Sequence, residues 1–272
     1  MTLNRRDFGL GAAALTLAAG QAGATAKVKV PPAIVAAVNG AARTQSNRIR
    51  DPWRHPAETL AFWGLKPGLT VVEIAPAGGY WTEILAPYLK ANHGHYIAAQ
   101  GGDVAKFKAR YADPAVWGDV RVTPFEADSG PLGRAGSADM VITSRNIHDW
   151  MWTPGRLDKA LKDFHAVLKR GGVLAVEEHR ADPRPMAFEA RDGYVATAWL
   201  TAAVEKAGFR LQGASEINAN PKDTKDHPFG VWTLPPTRRT HEKDKPTPDG
   251  FNPAVYDTIG ESDRMTLRFR KV

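Results

Sequence analysis

The chain has 272 residues, of which 43% are hydrophobic and 24% are charged, with a formal net charge of +7 and no cysteine. This is the composition of a globular protein, and the lack of cysteine excludes disulfides, thiolate metal sites and cysteine nucleophiles. Lysine and arginine are spread along the chain rather than clustered on one element, so we expect no nucleic-acid partner.

The first 26 residues have the pattern of an export signal. Arg5 and Arg6 precede a weakly apolar stretch, residues 9–20, which leads to small residues ending at Ala26. This order is typical of a secretory signal, and the paired arginines resemble the twin-arginine signal. The apolar stretch is shorter than the roughly 18–20 residues that span a bilayer. We therefore expect residues 1–26 to be a cleaved signal peptide, with the twin-arginine export machinery as partner, a periplasmic location and no stable membrane association after cleavage.

Residues 27–64 are predicted to form a helical extension of the domain. A Pro-flanked aromatic turn precedes a short helix that Gly64 ends. Two interpretations of this segment remain open. Arg54 and the neighbouring tryptophans either close over a pocket as a lid, or Trp53 and Trp63 serve as packing anchors.

Beyond the extension, strands and helices alternate. The predicted strands are 70–75, 95–99, 120–125, 138–144, 173–177 and 209–217. The predicted helices are 81–89, 104–111, 154–168 and 194–207, and Pro87 is expected to kink or shorten the first of them. This alternation predicts an α/β fold with a parallel sheet covered by helices on both faces. Ligands bind such sheets at the carboxyl ends of the strands.

The remaining boundaries follow from composition. Residues 65–217 form the predicted core, and residues 218–260 form a polar surface insertion. Apolar residues alternate in the last segment, 261–272, which predicts a final antiparallel strand. The expected fold is a doubly wound, mostly parallel, seven-stranded Rossmann-like sheet.

The turn after the first predicted strand carries the main candidate site. A strand ends in an acid, a turn of small residues follows, and a helix begins, which brings backbone N–H groups to a ligand. The turn resembles the first motif of the class I S-adenosylmethionine (SAM) methyltransferases, an acid followed by glycines at alternate positions. Glu73, Ala75, Ala77 and Gly79 occupy those positions. Alanine replaces two glycines, whose role is to permit unusual φ angles and close ligand approach.

Later segments agree with this resemblance. Gln100 or Asp103 follows the second strand, where the family carries an acid for the ribose, and residues 125–128 follow the third, where the family contacts adenine. Residues 168–174 resemble the family's helix–turn–strand signature. The resemblance implies SAM as cofactor, held by Glu73, Ala75, Ala77, Gly78, Gly79, Gln100, Glu126, Ala127, Arg145 and Asn146.

A closer resemblance covers nearly all of the chain after the signal peptide. Residues 51–54, 83–89, 226–236 and 261–267 are similar to segments of a bacterial family of exported predicted methyltransferases. This similarity implies the same fold, and it supports the fold more than the reaction.

Two loops at the carboxyl edge carry candidate catalytic residues. SAM brings an activated methyl group, so positioning dominates, and a base helps an oxygen or nitrogen nucleophile. His148 and His179 follow the fourth and fifth strands. We expect one of them to be the base, oriented by Asp149 or Glu178.

The same two loops are expected to contact the substrate through Trp150 and Arg180, together with Tyr194. No residue spacing matches a zinc or calcium site, so we expect no metal. His93 and His95, which flank a single glycine before a strand, are expected to face solvent.

Three functions are compatible with the sequence. The first is SAM-dependent methyl transfer to a small molecule in the periplasm. The second is a non-catalytic ligand-binding protein on a methyltransferase scaffold, favoured by the two alanines and by a compartment in which SAM is not made. The third, an NAD-dependent oxidoreductase, is disfavoured by residues 169–172.

Overall fold

The computed structural model describes residues 28–186 and 189–272, so the predicted signal peptide lies outside the described residues. The helices are α1 (Pro32–Val38), α2 (Gln45–Arg48), α3 (Asp51–Arg54), α4 (Pro56–Trp63), α5 (Thr82–Ala91), α6 (Val104–Arg110), α7 (Pro114–Trp117), α8 (Ile147–Trp150), α9 (Arg156–Val167), α10 (Thr197–Lys206) and α11 (Pro253–Ile259). The strands are β1 (Thr70–Ile74), β2 (His95–Gln100), β3 (Val120–Pro124), β4 (Ala138–Ser144), β5 (Leu168–Ala181), β6 (Val195–Ala196), β7 (Phe209–Ser215), β8 (Pro228–Val231) and β9 (Arg264–Lys271).

The sheet is mostly parallel, as predicted. Its strand order is β3-β2-β1-β4-β5-β9-β7, and the two-residue β6 pairs with the end of β5 as an eighth strand. Strands β1 to β5 run parallel, whereas β9 is antiparallel to both of its neighbours. The doubly wound fold and its antiparallel last strand are therefore confirmed.

Alternate residues of the central strands enter two separate cores. In β1, Val72 and Ile74 pack on one face of the sheet, where they meet Phe164 of α9. Val71 points to the other face and joins Ile84 of α5. Because helices cover both faces, the strand is apolar at successive positions rather than at every second one.

Some element boundaries differ from the sequence prediction. Helix α5 continues four residues beyond Pro87, because Leu85 and Leu89 on either side of the proline are fully buried and hold the two halves in line. Strand β5 begins at Leu168, five residues before the strand predicted over 173–177, so Gly171 and Gly172 lie inside it. There Gly171 takes a φ of +73° beside an irregularity in the β4–β5 register. Within the described ranges, no helix combines the length and apolarity needed to cross a membrane.

The segment after β7 folds back over the carboxyl edge of the sheet. It contains β8 and α11, and Val231 and Leu234 are buried. Asn218 anchors its start, because its side-chain amide donates to the hydroxyls of Thr59 and Thr266 at 3.0 and 2.9 Å. The insertion is thus an ordered part of the domain that reaches the ligand-binding edge.

Candidate functional site

A cavity of about 290 Å³ opens at the carboxyl ends of β1, β4 and β5. Its wall comes from the N-terminal extension, the turn after β1, the β4–α8 junction, β5, the insertion and the residues before β9. The lining residues are Arg50, Glu73, Ile74, Ala75, Pro76, Ala77, Gly78, Tyr80, Trp81, Ile142, Ser144, Arg145, Asn146, His148, Asp149, His179, Val231, Trp232, Pro235, Pro236, Thr237, Glu261 and Ser262.

The turn after β1 keeps a glycine-like backbone despite its alanines. The φ angles are +47° at Ala75, +46° at Ala77 and +78° at Gly79, all in the left-handed region that glycine favours. A Cβ atom at Gly79 would overlap the hydroxyl of Tyr111, so this position requires glycine for space as well as for conformation. Ala75, Ala77 and Gly78 line the cavity.

Glu73 is the last residue but one of β1 and lines the cavity. Its side chain is buried, and Oε2 accepts hydrogen bonds from the hydroxyls of Thr82 at 2.9 Å and Tyr96 at 2.5 Å. Burial raises the pKa of this carboxyl to about 7, although both hydrogen bonds oppose the shift. Glu73 therefore changes its charge near neutral pH.

His148 lies on α8 and is held by two carboxylates. Its Nδ1 donates to Oε1 of the buried Glu178 at 2.8 Å, and its Nε2 lies 3.3 Å from Oδ1 of Asp149. Burial opposes protonation of the ring, but Glu178 and Asp149 outweigh burial and raise the pKa of His148.

His179 faces His148 from the neighbouring strand, with ring centroids 5.0 Å apart. Its Nδ1 forms a 2.5 Å hydrogen bond with the hydroxyl of Ser262. Burial, His148 and nearby arginines hold the pKa of His179 well below its usual value, so this imidazole is neutral. The structure thus brings together the predicted residues His148, Asp149 and His179.

Buried guanidinium groups lie close to His179 and to the part of the cavity that Glu261 and Ser262 line. Arg264 pairs with Glu177 at 3.1 Å and with Glu261 at 2.8 Å, and Arg54 pairs with Glu261 at 2.8 Å. Arg145 lines the cavity, and its buried Nε has no hydrogen-bond partner among the described residues. Burial and Arg54 lower the pKa of Arg145 to about 10. Three guanidinium groups with two carboxylates favour an anionic ligand group here.

Several predicted cofactor residues lie outside this cavity wall, namely Gly79, Gln100, Glu126 and Ala127. Gln100 donates from Nε2 to the carbonyl of Gly101 at 2.6 Å, while its buried Oε1 has no donor among the described residues. Glu126 accepts a hydrogen bond from the backbone of Gly102 at 2.7 Å. The ends of β2 and β3 therefore lie beside the cavity rather than within it.

The three residues that the sequence predicts to contact the substrate lie outside the cavity wall. Trp150 is 7% exposed and packs edge-on against Phe125 in the apolar core, because the short helix α8 turns it away from the cavity. Arg180 forms a bidentate ion pair with Asp263, at 2.8 and 3.0 Å. None of Trp150, Arg180 and Tyr194 is among the described residues that line the cavity.

Tyr194 belongs to a separate buried polar network. Its hydroxyl donates to Asp223, 3.0 Å away, and Asp223 also lies 2.7 Å from Nε2 of His227. The predicted helix over 194–207 begins only at Thr197, because the residues before it pair with β5 as β6. Tyr194 therefore anchors the insertion instead of facing the cavity.

The insertion supplies the aromatic wall that Trp150 and Tyr194 were expected to form. Trp232, Pro235 and Pro236 line the cavity, and the ring of Trp232 lies 5.7 Å from that of His148. Ser262, from the segment before β9, completes the wall beside His179. A tryptophan and paired prolines in an otherwise polar stretch are the sequence signal that indicates this role.

No known family model matches the chain, and no curated protein matches its sequence. Solved structures do share its fold. A SAM-dependent methyltransferase from Aquifex aeolicus is 15% identical, with a TM-score of 0.53 over 82% of this chain and 93% of that chain. An arsenic(III) SAM methyltransferase from Chlamydomonas reinhardtii is 16% identical, with a TM-score of 0.50 over 89% and 73%. The [4+2]-cyclase SpnF is 15% identical, with a TM-score of 0.53 over 88% and 91%. The chain has the class I methyltransferase fold.

Proposed function

We propose that this protein binds SAM and transfers its methyl group to a small-molecule acceptor. The observation that carries the proposal is the turn after β1. Ala75 and Ala77 keep left-handed backbone angles at positions where the resemblance places glycine, and they line a cavity at the carboxyl edge. A non-glycine residue with such an angle costs about 1–2 kcal/mol, which indicates that the surrounding structure holds this turn.

Other residues fit the polar groups of SAM. The buried Oε1 of Gln100 has no donor among the described residues, so it can accept from a ribose hydroxyl at the end of β2. The guanidinium of Arg145 can pair with a carboxylate, since its Nε has no acceptor within the described ranges. Bound here, SAM would supply an activated methyl group.

The acceptor would lie beside His148 and His179, which both line the cavity. Nδ1 of each ring is held by a neighbouring side chain, and Trp232 covers them from the insertion. Fixed polar atoms beside an aromatic wall orient a small ligand, and orientation is the main requirement of methyl transfer.

Calorimetric titration of the full chain with SAM and with S-adenosylhomocysteine tests the proposal. We expect micromolar or tighter binding, weakened about tenfold or more by Arg145→Met because a buried charge-assisted hydrogen bond is lost. Arg121→Met is the matched control, since Arg121 is exposed and pairs with the exposed Asp119. No binding of either compound at millimolar concentration would overturn the proposal.

A second candidate is a binding protein that has lost catalysis. It is favoured by the alanines at 75 and 77, whose side chains occupy space that glycine leaves to a ligand. SpnF, a cyclase, illustrates that this fold serves more than one chemistry. Binding of SAM without release of S-adenosylhomocysteine in the presence of varied acceptors would favour this candidate.

We also propose that the protein acts in the periplasm after twin-arginine export. The support is the order of residues 1–26, which lie outside the described residues. The route carries folded proteins, which allows a cofactor to be bound before export.

A further inference from the structure

The arginines around Glu261 form a connected group that reaches the cavity. Arg50 caps the start of α3, and its backbone carbonyl accepts from the N–H of Arg54 at 3.1 Å. Side chains four residues apart on a helical turn lie on the same face of it. Arg54 pairs with Glu261 at 2.8 Å, and both Arg50 and Glu261 line the cavity.

The group continues on the other side of Glu261. Arg264 pairs with Glu261 at 2.8 Å and lies 3.1 Å from Glu177. The backbone carbonyl of Glu177 accepts from the N–H of Arg145 at 2.8 Å, and Arg145 also lines the cavity. Arg50 and Arg145 therefore reach one cavity from the two ends of a single series of contacts.

Positive charge exceeds negative charge in this series, because four guanidinium groups share two carboxylates. Nε of Arg145 is buried and has no acceptor among the described residues. A buried donor without an acceptor and unbalanced positive charge both favour the binding of an anion. We call these residues the arginine cluster: Arg50, Arg54, Arg145, Arg264, Glu177 and Glu261.

Arg50 is the member of the cluster whose side chain is free to bind a ligand. It is half-buried on the cavity wall, and within residues 28–186 and 189–272 it forms no ion pair and no side-chain hydrogen bond. Burial and the neighbouring Arg54 lower the pKa of Arg50, while Glu261 acts in the opposite direction. An anion bound beside this guanidinium group would relieve that repulsion and accept its N–H groups.

The other carboxylates that line the cavity, among the described residues, face other groups. Asp149 lies 3.3 Å from the ring of His148. Glu73 accepts from the hydroxyls of Thr82 and Tyr96, and burial raises its pKa to about 7. Neither carboxylate forms an ion pair with the arginine cluster in the part of the chain that the structure describes, so neither one balances its charge.

SAM would not balance the cluster either. The cofactor has one carboxylate, but it also has an ammonium group and a sulfonium centre, so it brings net positive charge. Its carboxylate can pair with Arg145, as proposed above, and Arg50 then remains for a second anion. The acceptor is the other ligand that methyl transfer requires, so it is the molecule that can bring this anion.

We propose that the methyl acceptor is a small organic acid whose carboxylate or phosphate group binds Arg50, with its nucleophilic atom beside His148 and His179. All three side chains line the same cavity. Burial, His148 and arginines of the cluster lower the pKa of His179, so the cluster and the histidines are neighbours. This inference rests on the proposed function, because it names the class of acceptor for the same site.

Inorganic phosphate tests the anion site with the smallest probe of this chemistry. Thermal unfolding of the full chain is followed while phosphate replaces chloride at constant pH and ionic strength. We expect a saturable rise in the unfolding temperature, half-complete at millimolar phosphate or below. Arg50→Met should weaken this binding about tenfold or more, because charge-assisted hydrogen bonds are lost.

Two further variants sharpen the test. Arg50→Lys keeps the charge and should bind phosphate more tightly than Arg50→Met does. Arg134→Met is the matched control, since Arg134 is exposed and is not among the described residues that line the cavity, and it should bind like wild type. Absence of saturable stabilisation of the wild type, or equal stabilisation of wild type and Arg50→Met, would overturn the proposal.

Stability without phosphate shows whether the Arg50 variant folds. Because Arg50 lies beside Arg54 and has no ion-pair partner among the described residues, we expect unliganded Arg50→Met to unfold at the wild-type temperature or above it. Its circular dichroism should match that of the wild type. A loss of phosphate binding in a variant of unchanged stability is then due to the missing guanidinium group.

S-adenosylhomocysteine separates the acceptor site from the cofactor site. It keeps the carboxylate of SAM, so at saturation it should occupy Arg145 and leave phosphate binding at Arg50 unchanged. Competition between the two compounds would place the anion in the cofactor site and overturn the acidic acceptor. Failure of S-adenosylhomocysteine to bind would overturn the proposed function, whereas failure of phosphate to bind would overturn this inference alone.

Discussion

The guanidinium of Arg54 lies 2.8 Å from the carboxylate of Glu261, across 207 positions of the chain. Both side chains are buried, and Glu261 also accepts from Arg264 at 2.8 Å. Burial alone would raise the pKa of Glu261, but the two arginines outweigh it and lower this pKa to about 2. The pair ties the N-terminal extension to the segment just before β9, and Glu261 lines the cavity.

Loss of this carboxylate should destabilise the fold strongly. We expect Glu261→Gln to lower the free energy of unfolding by about 3–5 kcal/mol, because buried guanidinium groups lose their counter-charge. Urea unfolding at neutral pH measures the change. The control is Asp119→Asn, which breaks the ion pair with Arg121 between two exposed side chains and should cost less than about 1 kcal/mol. Equal effects of the two substitutions would contradict the structural role of Glu261.

The sequence predicts the central strands because each contains a short apolar run, such as residues 140–142 in β4 and 173–176 in β5. It predicts the cavity wall less well. Trp150 directly follows His148 and Asp149 along the chain, yet the turn of α8 carries it into the core, whereas Trp232 arrives from a distant insertion. Local periodicity encodes which residues are buried. It does not encode which distant loop covers a given strand end.

The buried carboxyl of Glu73 should make stability fall as pH rises. Its pKa is about 7 in the folded protein and about 4.3 in an unfolded chain, so between these values the folded state binds more protons. The free energy of unfolding attributable to this group therefore decreases from about pH 4.3 to about pH 7. This decrease amounts to up to about 3 kcal/mol, and we expect it to be absent from Glu73→Gln, whose side chain does not titrate. Urea unfolding of both proteins across this pH range measures it, and parallel curves would count against the shift.

Glycine should suit the turn after β1 better than the alanines do. Ala75→Gly and Ala77→Gly each relieve a left-handed backbone conformation that costs alanine about 1–2 kcal/mol. Glycine loses more conformational entropy than alanine on folding, which offsets roughly 0.5–1 kcal/mol of that gain. Each should raise the free energy of unfolding slightly, by about 0.5 kcal/mol. The control, Ala202→Gly in the exposed face of α10, should lower it by about 1 kcal/mol. A similar loss at all three positions would show that the turn is not strained.

The paired arginines of the leader should control export. Arg5→Lys/Arg6→Lys is expected to leave the full chain in the cytoplasm of a bacterial host that has the twin-arginine machinery, because that route depends on the arginine pair. Cell fractionation and the size of the processed chain measure the outcome. Arg238→Lys/Arg239→Lys changes another arginine pair, in the exposed insertion, and should not alter export. Normal export of the leader variant would contradict the assignment of this signal.

Gly78 and Gly79, neighbours in the turn after β1, allow a matched test of where that turn requires glycine. A Cβ atom at Gly79 would overlap the Tyr111 hydroxyl and would sit on a backbone with φ of +78°, whereas a Cβ at Gly78 has no atom within 4 Å. We therefore expect Gly79→Ala to cost roughly 2 kcal/mol or more, and Gly78→Ala to be nearly neutral in thermal unfolding.

The overlap can be separated from the backbone strain in a double-mutant cycle. Tyr111→Phe removes the oxygen that the new methyl group meets, so it should restore part of the stability that Gly79→Ala loses. The φ angle at position 79 stays unfavourable for alanine whether residue 111 is tyrosine or phenylalanine. The loss of stability that remains in the double variant therefore measures the backbone strain. Additive effects of the two substitutions would mean that Tyr111 does not press on the turn, and that the glycine is needed for its backbone angle alone.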